Sequence, residues 1–278
     1  MTRIPGRAPR EKSAARQTSN RFATPARTMQ RPRSGPRDAR RSGPSAIDSP
    51  SNLGARWPDV GPLLDRQPWE SLVPHLLKVG AVPGEVMPRL RRYCELLIQW
   101  NRKVSNLISR NDEPRVVSRH ILESIEPASW LQEAGVDRWL DFGSGGGLPA
   151  IPLAIAGVGA HWTLVESRRT KTLFLRKAIE DLEISNVTVA LGRLEELVGT
   201  REYAYAYNGF TSRATLPLNP SLTIAAPLIR PGGKAFLWKG GKREAEMAED
   251  SSWRVNWDFD GLLGIGDGTT AVARLTRK

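Results

Sequence analysis

The chain has 278 residues, 40% of them hydrophobic, and a net charge of +12. That length holds a sizeable core without metal or disulfide staples. A single cysteine, Cys94, excludes an internal disulfide and a cysteine-based zinc cluster and fits a reducing compartment, with the cytoplasm as the expected location. No run of eighteen apolar residues occurs and the first residues lack an apolar signal core, so a membrane role is not expected.

In chain order, residues 1–50 carry 12 Arg and Lys against 3 Asp and Glu, so nine of the twelve excess charges lie there. With seven prolines and one aromatic, Phe22, this segment buries too little apolar surface to offset chain entropy, and residues 1–60 are expected to be a disordered basic tail. Three readings of it stay open: a basic arm for RNA phosphates, an organellar transit peptide, or translation upstream of a start at Met29. A helical cap is expected over residues 69–135, with helices at 69–79, 87–103 and 115–131, the last interrupted near Pro127. In the second of these, Leu90, Tyr93, Leu97 and Trp100 recur on one face.

From residue 136 to 278 short apolar runs alternate with helical segments, the pattern of an α/β domain with a mostly parallel sheet. The predicted strands are 139–142, 161–165, 187–191, 209–212 and 234–238, and the predicted helices 149–156, 169–182 and 220–229. Residues 253–259 and 271–276 alternate and are expected to form a terminal antiparallel pair.

The segment Leu140-Asp141-Phe142-Gly143-Ser144-Gly145-Gly146-Gly147-Leu148-Pro149 reads as a strand, a glycine turn and a helix opened by proline. Glycines at 143 and 145 let backbone approach a ligand without a Cβ in the way. A dinucleotide fingerprint counted from Gly143 would need its third glycine at Leu148, which weakens a nicotinamide reading. Glu166, nineteen residues after Gly147 at the next strand end, is placed to accept both hydroxyls of a ribose. Loop and carboxylate together imply adenosine. After the third strand, the loop Gly192-Arg193-Leu194-Glu195-Glu196 would face the adenine; after the fourth, Arg213 would hold a carboxylate or phosphate, or else form a structural salt bridge. Arg119, Arg168, Arg169, Lys171, Lys239 and Lys242 are candidate phosphate contacts near strand ends and loops. His120 reads as a packing or hydrogen-bonding residue and Cys94 as a packed one.

The segments WNRKVSNL (100–107), RHILESI (119–125), LDFGSGGGLPAIPLAI (140–155), LVESRRTKTLFLRKAIEDLEISNVTV (164–189), RLEE (193–196), SRA (212–214) and LWKG (237–240) resemble, in this order, the bacterial small-subunit ribosomal RNA guanine methyltransferases, the glucose-inhibited division protein B family. The resemblance covers about residues 85–278. It implies a class I methyltransferase (Rossmann-like) fold, S-adenosyl-L-methionine as cofactor, and methylation of ring nitrogen-7 of a guanine in 16S ribosomal RNA. It also implies cofactor contacts at Gly143, Leu148, Leu194, Glu195 and Arg213. Ala150 stands where the family usually repeats glycine, and Asn208 where an Asp commonly precedes the fourth strand. Ring nitrogen-7 carries a free lone pair, so no catalytic base and no metal is expected; alignment is what the chain must provide. A non-catalytic RNA-binding protein and a methyltransferase of another substrate are the alternative functions. The oligomeric state is not written in the sequence.

Overall fold

A computed structural model describes residues 57–278; the readings of the basic tail lie outside them. Ahead of the sheet come α1 (Gly61–Asp65), α2 (Val73–Lys78) and α3 (Pro83–Lys103). The helix expected over 87–103 starts four residues earlier, with Pro83 and Gly84 in its first turn, where a proline's missing N–H costs nothing. Buried Val86, Leu90, Tyr93, Leu97 and Trp100 follow at alternating spacings of four and three, the face by which α3 joins the core. After a 3-10 turn (Arg110–Arg115), the expected helix over 115–131 is broken into a π-helical turn (Val117–Ile121), α4 (Leu122–Ile125) and α5 (Ala128–Gln132). Pro127 separates the last two.

Seven strands then form one sheet in the order β3-β2-β1-β4-β5-β7-β6. Strands β1 (Arg138–Phe142), β2 (His161–Glu166), β3 (Val187–Leu191), β4 (Tyr207–Arg213) and β5 (Ile229–Lys239) are parallel. Strands β6 (Trp257–Ile265) and β7 (Thr270–Arg277) are antiparallel, with β7 inserted between β5 and β6. The crossovers are α6 (Ala150–Ile155), α7 (Arg169–Asp181), α8 (Leu194–Val198) and α9 (Leu218–Ala225), and α10 (Arg243–Glu249) follows β5. The expected class I methyltransferase architecture is present. Two elements shift: residues 252–255 form a 3-10 turn that buries Trp253, so β6 starts at Trp257, and α9 ends at Ala225 because Ile229 already belongs to β5.

Side-chain alternation along each strand divides the interior into two cores. Trp139, Trp162, Leu164, Phe236 and Trp238 face the side covered by α3, α6 and α7, while Leu140, Val165, Phe210, Leu237 and Trp257 face the side covered by α9. Trp139 and Trp162 stack with centroids 5.0 Å apart. On β4 a Cβ at Gly209 would overlap the Trp139 ring, so the large indole on β1 requires glycine on its neighbour. Strand order reverses between β1 and β4, which opens a crevice at their carboxyl ends, where ligands bind in open parallel sheets.

Candidate functional site

The glycine turn lies at that crevice. Gly143, Gly145 and Gly147 all have positive φ, at 68°, 55° and 86°, a conformation that L side chains rarely adopt. A Cβ on Gly143 would also overlap Thr215 Cγ2, so the loop after β4 closes over the turn at the one residue without a side chain. The turn is tied to β2: the Gly143 and Ser144 amides donate to the Val165 carbonyl at 2.9 and 3.1 Å. From the cap, the Tyr93 hydroxyl donates to the Gly146 carbonyl, and Leu97 and Leu107 lie against Gly146.

Glu166 is 6% exposed. Its Oε2 accepts from the Gly145 amide at 2.9 Å and its Oε1 from the Arg168 amide at 2.7 Å. Two backbone donors fix the carboxylate while leaving each oxygen a second acceptor site. Beneath the turn, Asp141 is fully buried; its Oδ1 accepts from Thr211 Oγ1 at 2.7 Å, and its Oδ2 has no partner. Burial pushes its carboxyl up to about 6, partly offset by the Ser144 and Thr211 hydroxyls, with Glu166 raising it further.

A cavity of about 350 Å³, in the range of small-molecule sites, opens on these groups. Phe142 and Gly143 form one wall, residues 165–168 with Lys171 a second, residues 192–195 a third and residues 214–216 a fourth. Thus Gly143, Glu166, Leu194 and Glu195 meet around one space. Gly145 stands behind this wall, bonded to Glu166. Leu148 packs against the core on the α3 side and does not line the cavity.

Arg213 does not line it either. Its guanidinium, 12% exposed, pairs with Glu123 at 2.7 Å and donates to the carbonyls of Arg119 and His120 at 3.1 and 3.4 Å. Glu123 also pairs with Arg119, and its carbonyl accepts from Trp238 Nε1 at 2.8 Å. Burial raises the Glu123 carboxyl despite its two arginine neighbours, and burial lowers the Arg213 pKa against the pull of Glu123. The structural salt bridge is therefore the arrangement seen, joining cap to sheet, and an anion reaching Arg213 must share it with Glu123. His120 is held beside Arg213 as a neutral ring: burial first, then Arg213, bring its pKa down to about 3, so the 3.5 Å approach of Asp112 is not an ion pair. Cys94 is fully buried and burial pushes its thiol up, which leaves no thiolate nucleophile there.

Tertiary contacts sort the predicted phosphate contacts. Lys239, 8% exposed, is not available to RNA: it donates to the Leu216 carbonyl at 2.8 Å and pairs with Glu246 at 2.9 Å, whose Oε2 also accepts from the Leu218 amide. Arg119 is engaged by Glu123 and Thr270. Lys171 lines the cavity, while Arg168, Arg169 and Lys242 remain exposed. Sequence reasoning missed Ser167, Thr215 and Leu216 as lining residues. The signal was available, since each lies within about three residues of the carboxyl end of a parallel strand.

The family model described as GidB, rRNA small subunit methyltransferase G, matches residues 87–256, which is more than half of the chain. The chain belongs to this family. Its curated relatives include the ribosomal RNA small subunit methyltransferase G of Rhodopseudomonas palustris strain TIE-1, 37% identical over 67% of this chain and 81% of the relative. The protein of the same name from Xanthomonas axonopodis pv. citri is 34% identical over 73% of this chain and 89% of the relative. Among solved structures, an O-methyltransferase from Bacillus cereus in complex with SAH superposes with a TM-score of 0.48 at 17% identity, over 67% of this chain and 91% of that one. Among the described residues no helix is long and apolar enough to cross a membrane, and no cluster of three or more His, Cys, Asp or Glu is placed to hold a metal ion.

Proposed function

We propose that the chain transfers a methyl group from S-adenosyl-L-methionine to ring nitrogen-7 of a guanine in 16S ribosomal RNA, acting in the cytoplasm on the small ribosomal subunit or its RNA. The observation that carries this reading is that every residue lining the cavity, from Phe142 to Leu216, lies inside the family match over 87–256.

The residues present fit the methyl donor. A glycine turn into which a side chain cannot be placed and a buried carboxylate held at the ribose position suit an adenosyl group. Glu166 would hold the ribose hydroxyls, Leu194 and Glu195 would border the adenine, and the turn from Gly143 would run beside the amino acid. When bound, S-adenosyl-L-methionine supplies an electrophilic sulfonium methyl, which the nitrogen-7 lone pair takes as the carbon–sulfur bond breaks, with no proton to remove.

The chain's task is then placement. Gly143, locked under Thr215, and Glu166, locked by two amides, set the donor's position before the base arrives. Neutral His120, enclosed beside Arg213, has no proton to shuttle in this chemistry. The test is transfer of labelled methyl to small-subunit ribosomal RNA, naked and assembled, against large-subunit RNA and transfer RNA, followed by mapping of the modified base. Nitrogen-7-methylguanine at one small-subunit site is expected. Methylation at another atom, or of another RNA only, overturns the assignment.

A further inference from the structure

Beside the cofactor cavity runs a second groove of about 600 Å³ that shares Ser167, Arg168, Gly192 and Arg193 with it and adds Arg169 and Leu191. We infer that this groove takes the sugar-phosphate backbone of the substrate RNA, so that a strand crosses the adenosine end of the bound methyl donor and holds it in place. The inference rests on the reading of the chain as an RNA methyltransferase.

Three guanidinium groups converge here, those of Arg168, Arg169 and Arg193, all exposed, and none has a side-chain partner among the described residues. Elsewhere Arg91, Arg92, Arg102, Arg115, Arg119 and Arg213 are each engaged by a carboxylate, while Arg66, Arg176 and Arg201, also exposed and without one, line neither the groove nor the cavity. The one acid in the groove wall, Glu196, is committed to capping α8, its Oε2 accepting from the Arg193 amide at 3.2 Å. Three unpaired cations that share no carboxylate are matched to phosphates, and arginine is the side chain whose planar fork suits them. The first turn of α7, at Arg169, adds its positive dipole end. Leu191, 49% exposed at the end of β3, supplies an apolar surface for a ribose or base among these charges.

The groove and the cavity share their walls, so one ligand covers the other. Donor and RNA are then coupled: a strand that covers the donor tightens its binding, and by linkage the donor tightens RNA binding by the same factor. The donor is expected to enter first, because a strand in the groove closes over its adenosine end.

The experiment follows release of labelled S-adenosyl-L-homocysteine, which cannot react, from the full chain with and without saturating small-subunit ribosomal RNA. RNA is expected to slow release about fivefold or more. Arg169 lines the groove alone, and a carboxylate in the first turn of α7 suits the helix dipole, so Arg169→Glu is expected to fold and to release the labelled compound at the wild-type rate without RNA. With RNA it is expected to lose most of the slowing and to lower the salt dependence of RNA binding by about one unit of log-log slope. Arg168→Gln/Arg169→Glu is expected to go further. Unchanged slowing and slope in both variants overturn the groove assignment. So does wild-type methyl transfer to RNA without any slowing of release, which leaves the methyltransferase reading standing. Slowing by RNA without methyl transfer keeps the groove and removes that reading.

Discussion

Two groups of arginines stand at the carboxyl edge of the same sheet and do opposite work. Arg213, at the end of β4, is largely enclosed beside Arg119 with Glu123 between them, and this trio fastens the cap to the sheet. Arg168 and Arg193, after β2 and β3, meet no carboxylate and stay in solvent with Arg169. Both groups lie within about three residues of a strand's carboxyl end, Arg213 as the last residue of β4, Arg168 and Arg193 two residues past β2 and β3. What separates them is whether the fold delivers an acid from elsewhere in the chain, and here Glu123 comes from a helix ninety residues before Arg213.

The sharpest way to break the comparison is to remove that acid. Glu123→Ala leaves two arginines close together, one of them nearly enclosed, and an unpaired buried charge costs about 3–5 kcal/mol. Because Arg119 is one-third exposed, the lower end is expected, seen as a loss of that size in denaturant unfolding. A loss under about 1 kcal/mol, the scale of a solvent-screened pair, would place the trio with ordinary surface ion pairs.

Asp141 extends the contrast to an acid with no cation beside it. Its folded-state value, near 6, lies above the ordinary 3.8, so its carboxyl favours the folded state fully below pH 4, and that contribution is lost as pH rises through 6. The loss amounts to about 3 kcal/mol by pH 7.5. Asp141→Asn, uncharged throughout, is expected to unfold with a flatter pH dependence between 4 and 7.5 than the wild type. Parallel curves would show that Asp141 is ionised without penalty.

Gly143→Asp acts on the cavity alone. The new side chain meets Thr215 from a backbone at positive φ, a strain of about 1–3 kcal/mol. The fold is expected to survive, with cofactor affinity down about tenfold or more by calorimetry. Wild-type affinity would move the cofactor out of this cavity.

Much of this was legible beforehand because it depends on local period and on strand ends. The five parallel strands, the glycine turn and Glu166 stand where alternation, spacing and turn chemistry put them. What could not be read depends on distant partners. Lys239 looked like a phosphate contact until Glu246 and the Leu216 carbonyl were brought against it, and Arg213 was ambiguous for want of Glu123. The start of β6 was misplaced because Trp253 continues the apolar alternation yet is buried from a 3-10 turn, which periodicity does not distinguish from a strand. The resemblance implies a cofactor contact at Leu148, whereas its side chain packs with the core.

The hydrogen bond from Tyr93 to Gly146 bears on how this fold can be dissected or recombined. Tyr93 and Leu97, on α3, touch the glycine turn more than forty residues later in the chain. A chimaera that exchanged the sheet region while keeping the original cap would put a foreign tyrosine and leucine against the turn. Exchange is therefore expected to succeed only when α3 travels with the turn it touches, and the useful crossover point lies before Pro83, not at the start of β1.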